Sequence, residues 1–144
     1  METTNQQKVD AVTVKPEYST PYEEYSRYHW LLEGDRLLRR EFADRLNVCT
    51  HSFQRWEKNI LNHSAIVADY VDERFNKHGL DKYQRFILLW IYVNKYHRKA
   101  NKSQTTYQAL QFRLRLLITR KVICRKGFYQ YLEMRNADKK ERDN

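Results

Sequence analysis

The chain has 144 residues, 41% hydrophobic and 14% aromatic, with 27 lysines and arginines against 18 aspartates and glutamates and a formal net charge of +9. That size suits one domain or two very small ones, and three glycines and two prolines are too few for a turn-rich β-sandwich. Cys49 and Cys124 make neither a disulfide framework nor a zinc pattern, and the longest apolar run, residues 86–93, is too short to cross a bilayer.

Residues 1–20 are polar, lack apolar periodicity and lack the apolar core of a secretory signal, so they are expected as a flexible tail. A first helix is predicted over 22–33 with Tyr25, Tyr28, Leu31 and Leu32 inward, ended by Gly34, with Asp35 capping the next. That second helix carries Leu37, Leu38, Phe42, Ala43 and Leu46 at amphipathic spacing. A break at Asn47, Val48 and Cys49 leads into a third helix over 50–61, with Phe53, Trp56, Ile60 and Leu61 inward. A fourth, over 64–76, uses Ile66, Val67, Tyr70, Val71 and Phe75, and His78 and Gly79 form its stop.

The second half opens with a helix over 81–97 that offers Phe86, Leu89, Trp90 and Val93 to a core. Another starts at Ser103 or Thr105 and aligns Tyr107, Leu110, Leu114, Leu117 and Ile118. Val122 to Cys124 and Phe128 to Leu132 are β-prone and flank Arg125, Lys126 and Gly127, which predicts a hairpin. Residues from 136 onward read as a frayed tail. The expected fold is mainly α, a helix-turn-helix bundle with a small C-terminal β-hairpin, divided as tail 1–20, helical region 21–78, basic region 79–135 and tail 136–144.

Charge is distributed unevenly. Up to Gly34 the acids outnumber the bases, whereas no aspartate or glutamate occurs between Asp81 and Glu133. One-signed charge over so long a stretch creates a positive field whose natural counterpart is a polyanion, and nucleic acid leads because binding it releases counterions. An acidic protein surface is the plainer alternative. Within the stretch, Phe86, Trp90 and Phe112 read as core, while Tyr96, Tyr129 and Tyr131 are suited to stacking on unpaired bases.

Residues 39–58 read RREFADRLNVCTHSFQRWEK. This run resembles the helix-turn-helix of bacterial and phage repressors. Ala43 stands where that family's helices cross closely. Asn47 replaces the glycine usual at the left-handed turn position, and asparagine is the best substitute there. Val48, Phe53 and Trp56 match the apolar positions that follow. The resemblance implies that Thr50, His51, Gln54, Arg55 and Lys58 face a major groove and contact bases, and that Arg39, Arg40 and Arg45 touch phosphate. A weaker resemblance, over residues 107–129, is to the recognition helix and wing of winged-helix domains. With the acid-free stretch, it adds Lys102, Arg113, Arg120, Lys121, Arg125 and Lys126 as phosphate contacts.

Catalysis is not expected. The five histidines have no zinc spacing, the glycines stand alone, and no serine sits in a nucleophile elbow. No cofactor and no metal are expected. The function expected is sequence-specific binding of double-stranded DNA by a small transcriptional regulator, with a homodimer or protein partner and no membrane. Its place would be the cytoplasm, on the nucleoid, or the nucleus in a eukaryote. An RNA-binding or ribonucleoprotein component, and a basic helical subunit of a larger complex, are the alternatives.

Overall fold

The computed structural model describes residues 21–71, 79–97 and 102–143. The expected tail over 1–20 and the end of the fourth helix, with Phe75 and His78, lie outside them. The elements are α1 (Pro21–Glu24), a 3-10 segment (Ser26–Leu32), α2 (Arg39–Leu46), α3 (Thr50–Asn59), α4 (Ser64–Tyr70), α5 (Lys82–Tyr92), a π turn (Val93–His97), a short 3-10 turn (Lys102–Gln104), α6 (Tyr107–Thr119) and α7 (Arg125–Asp143). The fold is mainly helical. Among the described residues the β pairing is one isolated bridge, Leu37 to Leu80, and no helix is long and apolar enough to cross a membrane.

α5 is the axis of the structure. Asp81 caps it, its carboxylate accepting from the Gln84 N–H at 2.8 Å while the Gln84 side chain accepts from the Asp81 N–H at 3.0 Å. From Arg85 to Ile91 every residue is buried, as a helix that is apolar on all sides requires. Around it lie Tyr25, Leu31, Phe42, Phe53, Trp56, Ile66, Leu110, Leu114 and Phe128 in one continuous core. That core draws on both sides of the boundary expected near residue 79.

Among the described residues, Arg85 is the one cation fully inside. Its guanidinium donates to the carbonyls of Leu31 (2.6 Å), Glu33 (3.0 Å), Gly34 (2.6 Å) and Asp81 (3.3 Å). Burial lowers its pKa, and the charges of Tyr129 and Asp81 offset part of that. The carbonyl cage does the work that water does outside.

Several expectations change. The first helix is one α turn and then a kinked 3-10 segment. Asp35 does not cap α2. Leu38 precedes its first residue, and Glu41 reaches back to accept from the Leu38 N–H at 3.0 Å. Leu37 is held in the bridge with Leu80, and Leu38, Val67, Val71 and Phe112 are exposed rather than inward. At Gly79, φ is +100° and an added Cβ would lie 2.5 Å from the Leu37 carbonyl oxygen, so the bridge requires glycine there.

The hairpin and wing are overturned. Residues 125–143 are one helix, and it includes residues 136–143 of the expected C-terminal tail. Three contacts explain why β-prone residues turn helical here. The Tyr22 hydroxyl bridges Cys124, accepting from its N–H at 3.0 Å and donating to its carbonyl at 3.3 Å. Burial pushes that phenol up to about 12. Arg125 docks on α4 through the Asp69 carboxylate and the carbonyls of Asp69 and Tyr70. Phe128 enters the core against Phe86, Tyr83 and Tyr22. Gly127 sits inside this helix 2.9 Å from the Tyr22 hydroxyl (measured from an added Cβ), so close approach, not a turn angle, accounts for it.

Replacing Arg85 by methionine keeps much of the volume and removes every donor from four carbonyls. The expected loss is about 3 kcal/mol or more of stability, read by denaturant unfolding. A loss under about 0.5 kcal/mol, typical of an unremarkable surface site, would contradict the cage.

Candidate nucleic-acid interface

α2 and α3 are joined by Asn47, Val48 and Cys49. Asn47 adopts φ 59° and ψ 46°, in the left-handed region. Its N–H donates to the Asp44 carbonyl at 3.1 Å and that of Val48 to the Ala43 carbonyl at 3.0 Å, which closes the last turn of α2. Ala43 is buried, with Phe42, Leu46, Phe53 and Trp56. The Phe42 and Phe53 rings lie 5.7 Å apart and those of Phe53 and Trp56 5.5 Å. Apolar spacing therefore fixes which face of α3 is inward.

The opposite face carries His51, Gln54, Arg55 and Lys58, all exposed, with Thr50 half-buried at the first turn. Arg55 has one weak internal contact, to the Ser52 hydroxyl at 3.4 Å, and His51 Nδ1 lies 3.4 Å from Cys49 Sγ. The single acid of α3, Glu57, is turned away. It accepts from Arg39 at 2.8 Å and from the buried Tyr70 hydroxyl at 2.8 Å. Burial and the Glu57 charge hold the Tyr70 phenol well above its ordinary range. For Arg39, burial works to lower the pKa, but the hydrogen bond and charge of Glu57 outweigh it and raise it. The outward face of α3 is thus left without an acidic side chain.

The cations named from sequence divide into two groups. Arg40, Lys102, Arg120, Lys121 and Lys126 are exposed. The others are engaged within the fold. Arg39 pairs with Glu57. Arg45 lies over the Trp30 ring at 5.5 Å and donates to the Trp30 carbonyl at 3.2 Å, which fixes an exposed guanidinium in one orientation. Arg113 donates to Asn94 Oδ1 at 2.7 Å and covers Trp90. Arg125 pairs with Asp81 at 2.7 Å, and with the contacts above it is a structural clamp rather than a free cation.

Sequence reasoning missed Trp30 and Glu57. Neither has a local signal, because each acts through a partner 15 or 18 residues away. Among the described residues no group of histidine, cysteine, aspartate or glutamate is placed to hold a metal ion. No protein-family model, curated protein or solved structure matches the chain at a significant level.

The left-handed turn makes a differential prediction. Asn47→Ala should cost about 1–2 kcal/mol, because a Cβ without a local hydrogen-bonding group disfavours that conformation, while Asn47→Gly should be neutral or stabilising. Thermal unfolding of the two variants is the check. Equal effects would mean that the turn does not depend on this backbone angle.

Proposed function

We propose that this chain is a sequence-specific double-stranded DNA-binding protein, a small transcriptional regulator, in which α3 enters the major groove. The observation that carries the reading is the composition of the free face of α3. His51, Gln54, Arg55 and Lys58 face outward while Glu57 is folded back onto Arg39 and Tyr70. Glutamine and arginine present the paired groups that match adenine and guanine edges. Thr50 completes the set at the start of the helix.

Phosphate contacts are assigned on the same logic. Arg45, stacked on Trp30, is a pre-oriented guanidinium on the helix that flanks the groove, and Arg40 is free beside it. Lys102, Arg120, Lys121 and Lys126 extend the positive field. Arg39, paired with Glu57 at the surface, and Arg113 and Arg125, engaged within the fold, are withdrawn from the contact set because their guanidinium groups already have partners. A single groove-reading helix covers one half-site, so a second copy or a protein partner completes the operator. The corresponding location is the cytoplasm, on the nucleoid, or the nucleus in a eukaryotic source.

Arg55→Ala should lower affinity for a selected duplex by about 1–3 kcal/mol and leave binding to a scrambled duplex and folding nearly intact. A titration of wild type and variant against both duplexes measures this. Equal losses on both would make Arg55 a phosphate contact, and no loss on either would exclude groove reading by this residue.

A further inference from the structure

Of the three tyrosines suited to stacking, the fold withdraws two. The Tyr129 hydroxyl accepts from the Tyr83 N–H, and the Tyr131 hydroxyl donates to Glu23 at 2.7 Å. Tyr96 remains, with 55% of its surface exposed.

Its placement follows from the π turn that ends α5. The wider turn shifts the phase of the side chains. Asn94 goes inward, donating to Trp90 at 2.8 Å and Tyr25 at 3.2 Å and accepting from Arg113 at 2.7 Å. Tyr96 goes outward, and the buried amide anchors the turn beneath it. The Tyr96 ring is backed by Trp56 of α3, 6.4 Å between centroids, and by Tyr92 at 5.7 Å. Trp56 belongs to α3, so the ring adjoins that helix, on its inward side.

The surroundings are cationic. Lys95 Nζ lies 5.8 Å from the Tyr96 centroid and 5.1 Å from that of Tyr107, and it donates to the Thr105 carbonyl at 3.3 Å. The Thr105 N–H in turn donates to the carbonyl of exposed Lys102. No acid occurs from residue 82 to residue 132. A half-exposed ring fixed on a packed turn, beside a fixed ammonium and within a stretch of chain that has no acid, has the features of a base-stacking site.

We propose that Tyr96 stacks on one unpaired nucleobase flanking the DNA duplex held by α3, with Lys95 and Lys102 supplying the field for the adjoining phosphate. The proposal rests on the duplex-binding reading and narrows it to duplexes with an unpaired flank.

The test uses the full chain and fluorescence anisotropy with a duplex selected from a random pool, either blunt or carrying a short unpaired overhang. Wild type and Tyr96→Phe should bind the overhang duplex roughly tenfold tighter than the blunt one, the range of one base–aromatic stack. Tyr96→Leu, which keeps an apolar group on Trp56 but has no ring, should bind both duplexes equally, at the wild-type affinity for the blunt form. Equal binding of the two duplexes by wild type overturns the stacking site and leaves the duplex reading intact, and this comparison needs no variant. An overhang preference that survives in Tyr96→Leu also overturns it. Tighter binding to a single-stranded RNA than to either duplex, or binding to neither duplex, overturns both readings.

Discussion

The Arg85 guanidinium, enclosed by four backbone carbonyls, is the constraint from which the rest of the structure follows. A charge with no exposed surface persists only if polar partners replace its water. Three of its carbonyls come from residues 31–34, so the interaction holds the connection after the 3-10 segment against α5. The next residues are then placed in order. Arg36 reaches the Gly79 carbonyl, Leu37 pairs with Leu80, and α2 begins at Arg39. The start of α2 sets where α3 emerges, and with it the exposed face on which the functional reading depends.

A second polar centre joins that face to the C-terminal helix. Tyr70 donates its hydroxyl to Glu57, while its carbonyl accepts from Gln84 and Arg125. Asp69 accepts from the Tyr83 hydroxyl and from the Arg125 N–H, and Arg125 reaches on to Asp81. Burial, then the Asp69 charge, raise the Tyr83 phenol far above its ordinary range, so it stays a donor. Removing one partner of such a network would leave the others unpaired in a poorly solvated place. The basic half is therefore less free than its charge suggests. Arg85, Arg113 and Arg125 spend their donors inside the fold.

How much of this was legible in the sequence depends on the range of the interaction concerned. The corner of α2 and α3 was legible, because apolar spacing and a left-handed asparagine act within a few residues. The same holds for α5, where the run of large apolar residues allows only burial. The start of α7 was not legible. Phe128, Tyr129 and Tyr131 are β-prone, and the contacts that override them come from Tyr22 and Asp69, 102 and 56 residues away from Cys124 and Arg125. The stop before it was also hidden, since Lys121 takes the left-handed angle (φ 62°) usually signalled by glycine or asparagine. At the site, residue types and their face could be read, but not which arginines were already paired. Arg39 and Arg40 are neighbours, and only the fold distinguishes them, by placing Glu57 beside one.

We propose that the positive surface built around α3 binds duplex DNA. That binding is tested most directly by wild-type affinity for duplex DNA, single-stranded DNA and RNA of equal length over a salt series. Tightest binding is expected to forms that contain duplex DNA, with affinity falling linearly in log–log form as salt rises, by about 0.9 for each phosphate contacted. Preference for RNA, or binding that is weak and indifferent to salt, would contradict it.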